Sequence, residues 1–289
     1  MRLLTALAAL LVSLGLSAAE KTQPVFTFTA IPDQNESQLI ERFGEMAKYL
    51  SAELGVEVKY VPVKSYPAAI TAFRNNQVQL AWFGGLSGVQ ARALVPGSVA
   101  VAQGYEDQFF KTYFIAHKSA GLSPAETLSP ALKGKTFTFG SKGSTSGRLM
   151  PEFYLREAFS AAPEAVFSRV GFSGDHSRTL ALVQSGAYQV GALNYTVWDQ
   201  ALANGDIDTQ QVQVIWTTPT YPDYQWSLRG DVDAQYGAGF SAKLTQALLT
   251  LSDEKLLGSF PRTKFVPTNN DVYQPIEATA KALDLMNDW

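Results

Sequence analysis

The sequence predicts an α/β protein of two lobes, each a mostly parallel sheet flanked by helices, with a ligand cleft between them. Three observations predict it. Strand-like runs rich in β-branched and aromatic residues alternate with runs of helical spacing, the order that builds βαβ units. The alternation occurs twice, with breaks near Tyr113–Ser119 and Thr217–Tyr224. The chain has 289 residues, 46% hydrophobic, and no cysteine, so a sizeable core must form by burial alone.

The elements follow in order. Val25 to Ile31 alternates and reads as the first strand, broken by Pro32-Asp33-Gln34-Asn35. Glu36 to Leu54 places Leu39, Ile40, Phe43, Met46, Ala47 and Leu50 at helical spacing, and Gly55 ends that helix. Val56 to Val63 is a strand, and Ser65-Tyr66-Pro67 opens a helix with proline at its favoured first position. Val78 to Phe83 is a strand whose Trp82-Phe83 end belongs to the core, and Gly84-Gly85-Leu86-Ser87 leads into a helix to Leu94. Ser98 to Gln103 and Tyr113 to Ala116 are strands. The second unit repeats the pattern, with strands at Lys135–Phe139, Phe167–Phe172, Gln189–Leu193 and Val212–Trp216. Helices at Gly147–Phe159, Ser177–Ser185 and Thr196–Ala203 separate them. Gln225 to Arg229 is one more strand, and Phe240–Leu251, Glu254–Gly258 and Tyr273–Met286 are helices. Residues 20–115 with 218–289 then make lobe 1, and 116–217 make lobe 2.

Met1-Arg2 followed by a short apolar run to Leu16 and Ser17-Ala18-Ala19 has the layout of a cleavable secretory signal, residues 1–19, leaving 270 residues from Glu20. The absence of cysteine excludes a lipid-anchored cysteine at the new N-terminus, disulfides and thiolate metal sites. The 23 basic and 26 acidic side chains give a net charge of −3, and loss of Arg2 with the leader makes it −4. That balance argues against nucleic acid as a partner, so a bound anion must be captured by local geometry.

The stretch Gly140-Ser141-Lys142-Gly143-Ser144-Thr145-Ser146-Gly147-Arg148 lies between a strand and a helix. A helix start carries backbone N–H groups without partners and the positive end of the helix dipole. Ser144, Thr145 and Ser146 add hydroxyl donors, which makes a pocket for a small oxyanion without a metal. Tyr66, the run Gly85-Leu86-Ser87 after Gly84, and Gly174-Asp175-His176 stand at other strand-to-helix junctions, where open parallel sheets bind ligands. Taken singly, each also fits a structural role: Ser144 and Asp175 as helix caps, Gly84-Gly85 as a relieved turn, Tyr66 as a core aromatic, His176 as a capping residue. No Gly-x-Ser-x-Gly elbow, metal motif or dinucleotide-binding glycine fingerprint is present, so an enzyme is not expected.

Val78 to Ser87, the Ser144-Thr145-Ser146-Gly147 turn and Ser173-Gly174-Asp175-His176, in this order and spacing, resemble the periplasmic phosphonate/phosphite-binding family of ABC importers. The opening Ala30-Ile31-Pro32-Asp33-Gln34-Asn35 is similar to a branch described as selenate-binding. The resemblance implies a type II periplasmic binding protein that closes on its ligand. It implies Ser144, Thr145, Ser146, Tyr66 and His176 as anion ligands, and Asp223 as an acidic residue facing the ligand from the hinge side. Phe110 stands where the family often has tyrosine, and no carboxylate stands near Asn194-Tyr195-Thr196 to take a ligand amine, which favours a small inorganic oxyanion. A pocket carboxylate favours a ligand that keeps a proton, such as phosphite, phosphate or a phosphonate; the branch resemblance favours selenate. The partners implied are that oxyanion and an inner-membrane ABC permease, for a freely diffusing periplasmic monomer with no cofactor and no metal. The alternative is a periplasmic sensor subunit for a membrane histidine kinase.

Overall fold

The computed structural model describes residues 24–287; the leader expected at 1–19 lies outside them. The first lobe opens with β1 (Phe26–Ala30), α1 (Glu36–Leu54), β2 (Val58–Tyr60), α2 (Tyr66–Arg74), β3 (Leu80–Phe83), α3 (Gly85–Leu94) and β4 (Val99–Gly104). The chain then crosses to β5 (Thr112–His117), β6 (Thr136–Phe139), α4 (Met150–Phe159), α5 (Pro163–Val166), β7 (Arg169–Phe172), α6 (His176–Gln184), β8 (Val190–Asn194), α7 (Tyr195–Ala203) and β9 (Val212–Thr217). It returns through β10 (Gln225–Leu228), α8 (Val232–Tyr236), α9 (Phe240–Thr250), α10 (Glu254–Ser259), β11 (Phe265–Pro267) and α11 (Gln274–Ala282).

The sheets have the orders β11-β4-β10-β3-β1-β2 and β7-β6-β8-β5-β9. Each is mixed. Strand β1 pairs in parallel with β2 and β3, whereas β10 runs antiparallel between β3 and β4, and β11 antiparallel to β4. In the second sheet β6 is parallel to β7 and β8, and β5 runs antiparallel between β8 and β9. The reversal has a topological cause. Strands β3 and β8 end at the cleft, while β5 and β10 begin there because the chain reaches them from the other lobe: Thr112 pairs with Asn194, and Gln225 with Phe83. Because β5 starts at Thr112, the first crossing falls a few residues before the boundary expected at 115/116.

The two crossing segments pair with each other. Phe110 and Tyr221 exchange backbone hydrogen bonds of 3.0 and 2.9 Å, and beside them Thr218 N donates to Thr112 O at 3.1 Å while Thr112 N donates to the Thr218 hydroxyl at 3.0 Å. This short ladder is the hinge. Each lobe keeps its own aromatic core. Trp226 packs against Phe28, Phe43, Trp82 and Phe260 in the first, and Phe137 against Phe114, Phe139 and Phe167 in the second. Emptying one of these ring sites costs about 3–5 kcal/mol, so each lobe holds its own shape while the hinge connects them.

Candidate functional site

Helix starts from both lobes meet at the cleft. Lobe 1 brings α2 and α3. Ser65 caps α2 by accepting from Ala68 N, which presents Tyr66 at the first helical position before Pro67. In α3 the Ser87 hydroxyl accepts from Gly84 N and donates to Gly84 O, so it serves the helix start and leaves Gly85 and Leu86 N–H pointing onward. Lobe 2 brings Ser144–Ser146 ahead of α4, His176 at the start of α6 and Asn194 ahead of α7. The 144–149 segment is wound more widely than an α-helix: Leu149 N donates to Ser144 O at 3.0 Å, a five-residue span. Such π-type turns recur at functional sites, and this one sets Thr145 and Ser146 at the cleft while the Ser144 hydroxyl accepts from Gly147 N.

The sequence-expected residues converge. Leu86 N donates to Thr145 Oγ1 at 2.9 Å, and Gly85 N to Asp223 Oδ1 at 2.8 Å. The Thr145 hydroxyl and the Asp223 carboxylate are neighbours beside Gly84. Ser146 Oγ lies 3.5 Å from His176 Nε2. The Tyr66 hydroxyl neighbours that of Ser144, though no group meets it in hydrogen-bonding geometry. A Cβ added at Gly84 would sit 3.1 Å from Asp223 Oδ1 and 3.2 Å from Thr145 Oγ1, so glycine there lets backbone and ligand groups approach. Tyr66, Ser87, Thr145, Ser146, His176 and Asp223 are each at most 1% exposed. A separate groove of about 680 Å³ runs between α1 and α10 on one side and α6 and α7 on the other, and none of the expected site residues lines it.

The electrostatics follow from burial. Asp223 is pushed up to about 7, because desolvation opposes its charge more than the Gly85 bond and the neighbouring Thr145 hydroxyl favour it. Its Oδ2 atom, like the Tyr66 hydroxyl, is buried without a partner. Buried polar atoms are rarely left so, and these two belong to one site. His176 is fully buried and pushed down to about 3, so its ring is neutral near pH 7. Asn194 N donates to its Nδ1 at 3.3 Å, which assigns the ring proton to Nε2, the nitrogen beside Ser146. The imidazole therefore offers a donor without a positive charge.

The sequence reading did not single out Asp33, Asn194 or Tyr224. Tyr224 donates to Asp33 Oδ2 at 2.7 Å, Asn194 Nδ2 donates to the Tyr224 hydroxyl at 3.3 Å, and His176 N donates to Asp33 O at 2.9 Å. Asp33 read as a strand breaker and Tyr224 as linker. Phe110, which stands where the family often has tyrosine, is buried among Tyr195, Tyr221 and Tyr224.

Two sheets of this order joined by a paired double crossing, with helix starts and hydroxyls facing each other across the junction, define a type II periplasmic binding protein. The sequence model of the phosphonate periplasmic substrate-binding proteins of ABC transporters matches residues 28–273, and the chain belongs to that family. The family is one of solute-binding proteins rather than enzymes. The chain is 41% identical to the probable ABC transporter phosphite binding protein PhnD1 of Prochlorococcus marinus (strain MIT 9301), over 95% of this chain and 97% of that protein. It superposes on the structure of PhnD1 from that organism in complex with methylphosphonate with a TM-score of 0.86, covering 90% of this chain and 98% of that one. The phosphonates-binding periplasmic protein of Escherichia coli (strain K12) is 25% identical over 71% of this chain and 60% of its own length.

Proposed function

We propose that the protein binds a small tetrahedral phosphorus oxyanion that can carry a proton, phosphite or methylphosphonate, between its lobes and delivers it as a monomer to an ABC permease. The observation that carries this reading is the pairing of two buried, unpartnered atoms, Tyr66 OH and Asp223 Oδ2, with hydroxyls and helix-start N–H groups. A carboxylate near its ionisation midpoint can share a proton with a phosphorus oxyanion. Selenate and sulfate, which offer only acceptors, would leave Asp223 to supply the proton itself. The absence of a basic side chain among the expected ligands suits a singly charged guest held by neutral donors. The 41%-identical relative, a probable phosphite binding protein, and its structure in complex with methylphosphonate support the same class. Selenate, suggested by the opening segment, belongs in the test, and family membership supports transport over sensing.

Isothermal titration of ligand-freed protein with phosphite, methylphosphonate, phosphate, sulfate and selenate tests the proposal. The two small phosphorus anions should bind tightest. Binding of none of the five would overturn the reading, and a clear preference for selenate would overturn the choice of phosphorus.

A further inference from the structure

Two hydrogen bonds in the cleft connect the lobes, and a third anchors them within lobe 1. His176 N of lobe 2 donates to the backbone oxygen of Asp33 of lobe 1 at 2.9 Å. Asn194 Nδ2 of lobe 2 donates to the Tyr224 hydroxyl at 3.3 Å, and that hydroxyl donates to the Asp33 carboxylate at 2.7 Å. Asn194 N donates to His176 Nδ1. The circuit therefore returns to its start: Asp33, Tyr224, Asn194, His176, Asp33. All four residues are at most 3% exposed. Asn194 Oδ1 caps α7 by accepting from Thr196 N and Oγ1, which fixes the orientation of its amide. The Tyr224 ring is held by stacking on Trp82 at 5.5 Å and by Phe110 at 5.3 Å.

We propose that Asp33, Tyr224 and Asn194 form a latch that holds lobe 2 against lobe 1 and, through Asn194 N, fixes His176 with its proton on Nε2. They are positioning residues, acting on the ligand only through His176 and through the closed arrangement. The contact between Leu86 N and Thr145 Oγ1 also crosses the cleft, but both groups belong to the anion site, so an anion competes for them. The latch has no such competition. It favours closure whether or not the cleft is filled, and it slows escape of a bound guest because two interlobe bonds must break before the lobes part.

The proposal rests on the oxyanion reading for its kinetic arm only. Tyr224→Phe removes the hydroxyl and keeps the ring packing. Stopped-flow measurement with phosphite and methylphosphonate should show dissociation faster by roughly two- to tenfold, the worth of the one neutral interlobe bond from Asn194 that is lost, with association changed by less than about twofold. Asp33→Asn, which keeps a weaker acceptor for Tyr224, should fall between wild type and Tyr224→Phe. Because the chain has no cysteine, a cysteine pair at the exposed Glu53 and Glu164 can be labelled cleanly. Energy transfer between the labels in ligand-free protein should report more open lobes in Tyr224→Phe. Nitrogen-15 spectra of ligand-free wild type should show His176 as the Nε2–H tautomer. Unchanged dissociation together with unchanged lobe distance, in variants with native near-ultraviolet circular dichroism, would overturn the latch. So would a predominant Nδ1–H tautomer in wild type. If neither anion binds wild type, the function reading fails, and the ligand-free distance and tautomer still decide the latch.

Discussion

At the scale of single residues, the proposed site is a set of neutral donors around one buried carboxylate. Thr145→Val and Ser146→Ala should each weaken anion binding by about 1–3 kcal/mol, the loss of one donor to a buried charged guest; calorimetry showing unchanged affinity would reduce both to capping roles. Asp223 gives the pH dependence. Below about 7 it carries a proton that an anion oxygen can accept, and above it the ionised carboxylate repels the guest. Affinity of the wild type should therefore fall as pH rises through about 7, while Asp223→Asn keeps only the dependence set by the ligand's own proton. The same burial acts on folding. Because Asp223 sits above its ordinary 3.8 in the native state, its contribution to stability is full below about pH 4 and is lost as pH rises through about 7. That amounts to roughly 4 kcal/mol. Urea titrations across this window should slope less for Asp223→Asn. His176, whose burial lowers it from its ordinary 6.5 to about 3, acts in the opposite sense: its contribution is full above about pH 7 and is lost as pH falls toward 3, because the unfolded chain takes up the proton first. On the proposed reading its ring stays neutral and contributes no charge to binding between about pH 5 and 8.

At the scale of elements, the decisive piece is the wide turn between β6 and α4. Gly140 N donates to Gly147 O, and a Cβ at Gly147 would lie 2.9 Å from Ser144 Oγ, 3.0 Å from His176 Cε1 and 3.2 Å from Gly140 Cα. Gly147→Ala must then push apart the triplet and the imidazole together. Oxyanion affinity should drop at least tenfold with a stability loss of about 1–3 kcal/mol; wild-type affinity in a folded Gly147→Ala protein would mean that the turn does not shape the site. This turn was legible in the sequence because its cues are local: a β-branched and aromatic strand, three hydroxyl residues, glycines on either side. The same holds for α1, whose apolar spacing and terminal Gly55 set its bounds at Glu36–Leu54, and for the junctions at Tyr66 and Gly85. The mixed direction of the sheets was not legible, since nothing within β5 or β10 records which way the neighbouring strands run. Strand β11 is three residues ending in proline, too short to show a period. Asp33 and Tyr224 are 191 positions apart in the chain, and no local pattern couples them.

At the scale of the whole molecule, the C-terminal region holds the hinge in place. Arg262, which follows α10, forms a two-pronged bond with Asp107 just before the first crossing, Nε to Oδ2 at 2.7 Å and Nη2 to Oδ1 at 2.6 Å. Asp107 Oδ2 also accepts from Gly104 N, and the backbone oxygen of Asp107 accepts from Asp223 N at 3.0 Å. Asp223, the carboxylate proposed to face the anion, thus hangs from a residue whose own carboxylate is fixed by the tail of the chain. Both partners of the pair are buried, so the single variant Arg262→Met leaves the Asp107 charge in the interior without compensation. That should lower the unfolding free energy by about 3–5 kcal/mol, measured by urea denaturation. Replacing both partners, Asp107→Asn with Arg262→Met, removes the stranded charge and should recover a large part of the loss, because a buried pair often contributes little net stability over uncharged replacements of similar shape. Oxyanion affinity should not recover in parallel, since the geometry that presents Asp223 depends on the fork between the tail and the crossing. Equal recovery of stability and affinity in the double variant would show that the pair serves folding alone and that Asp223 finds its place without it.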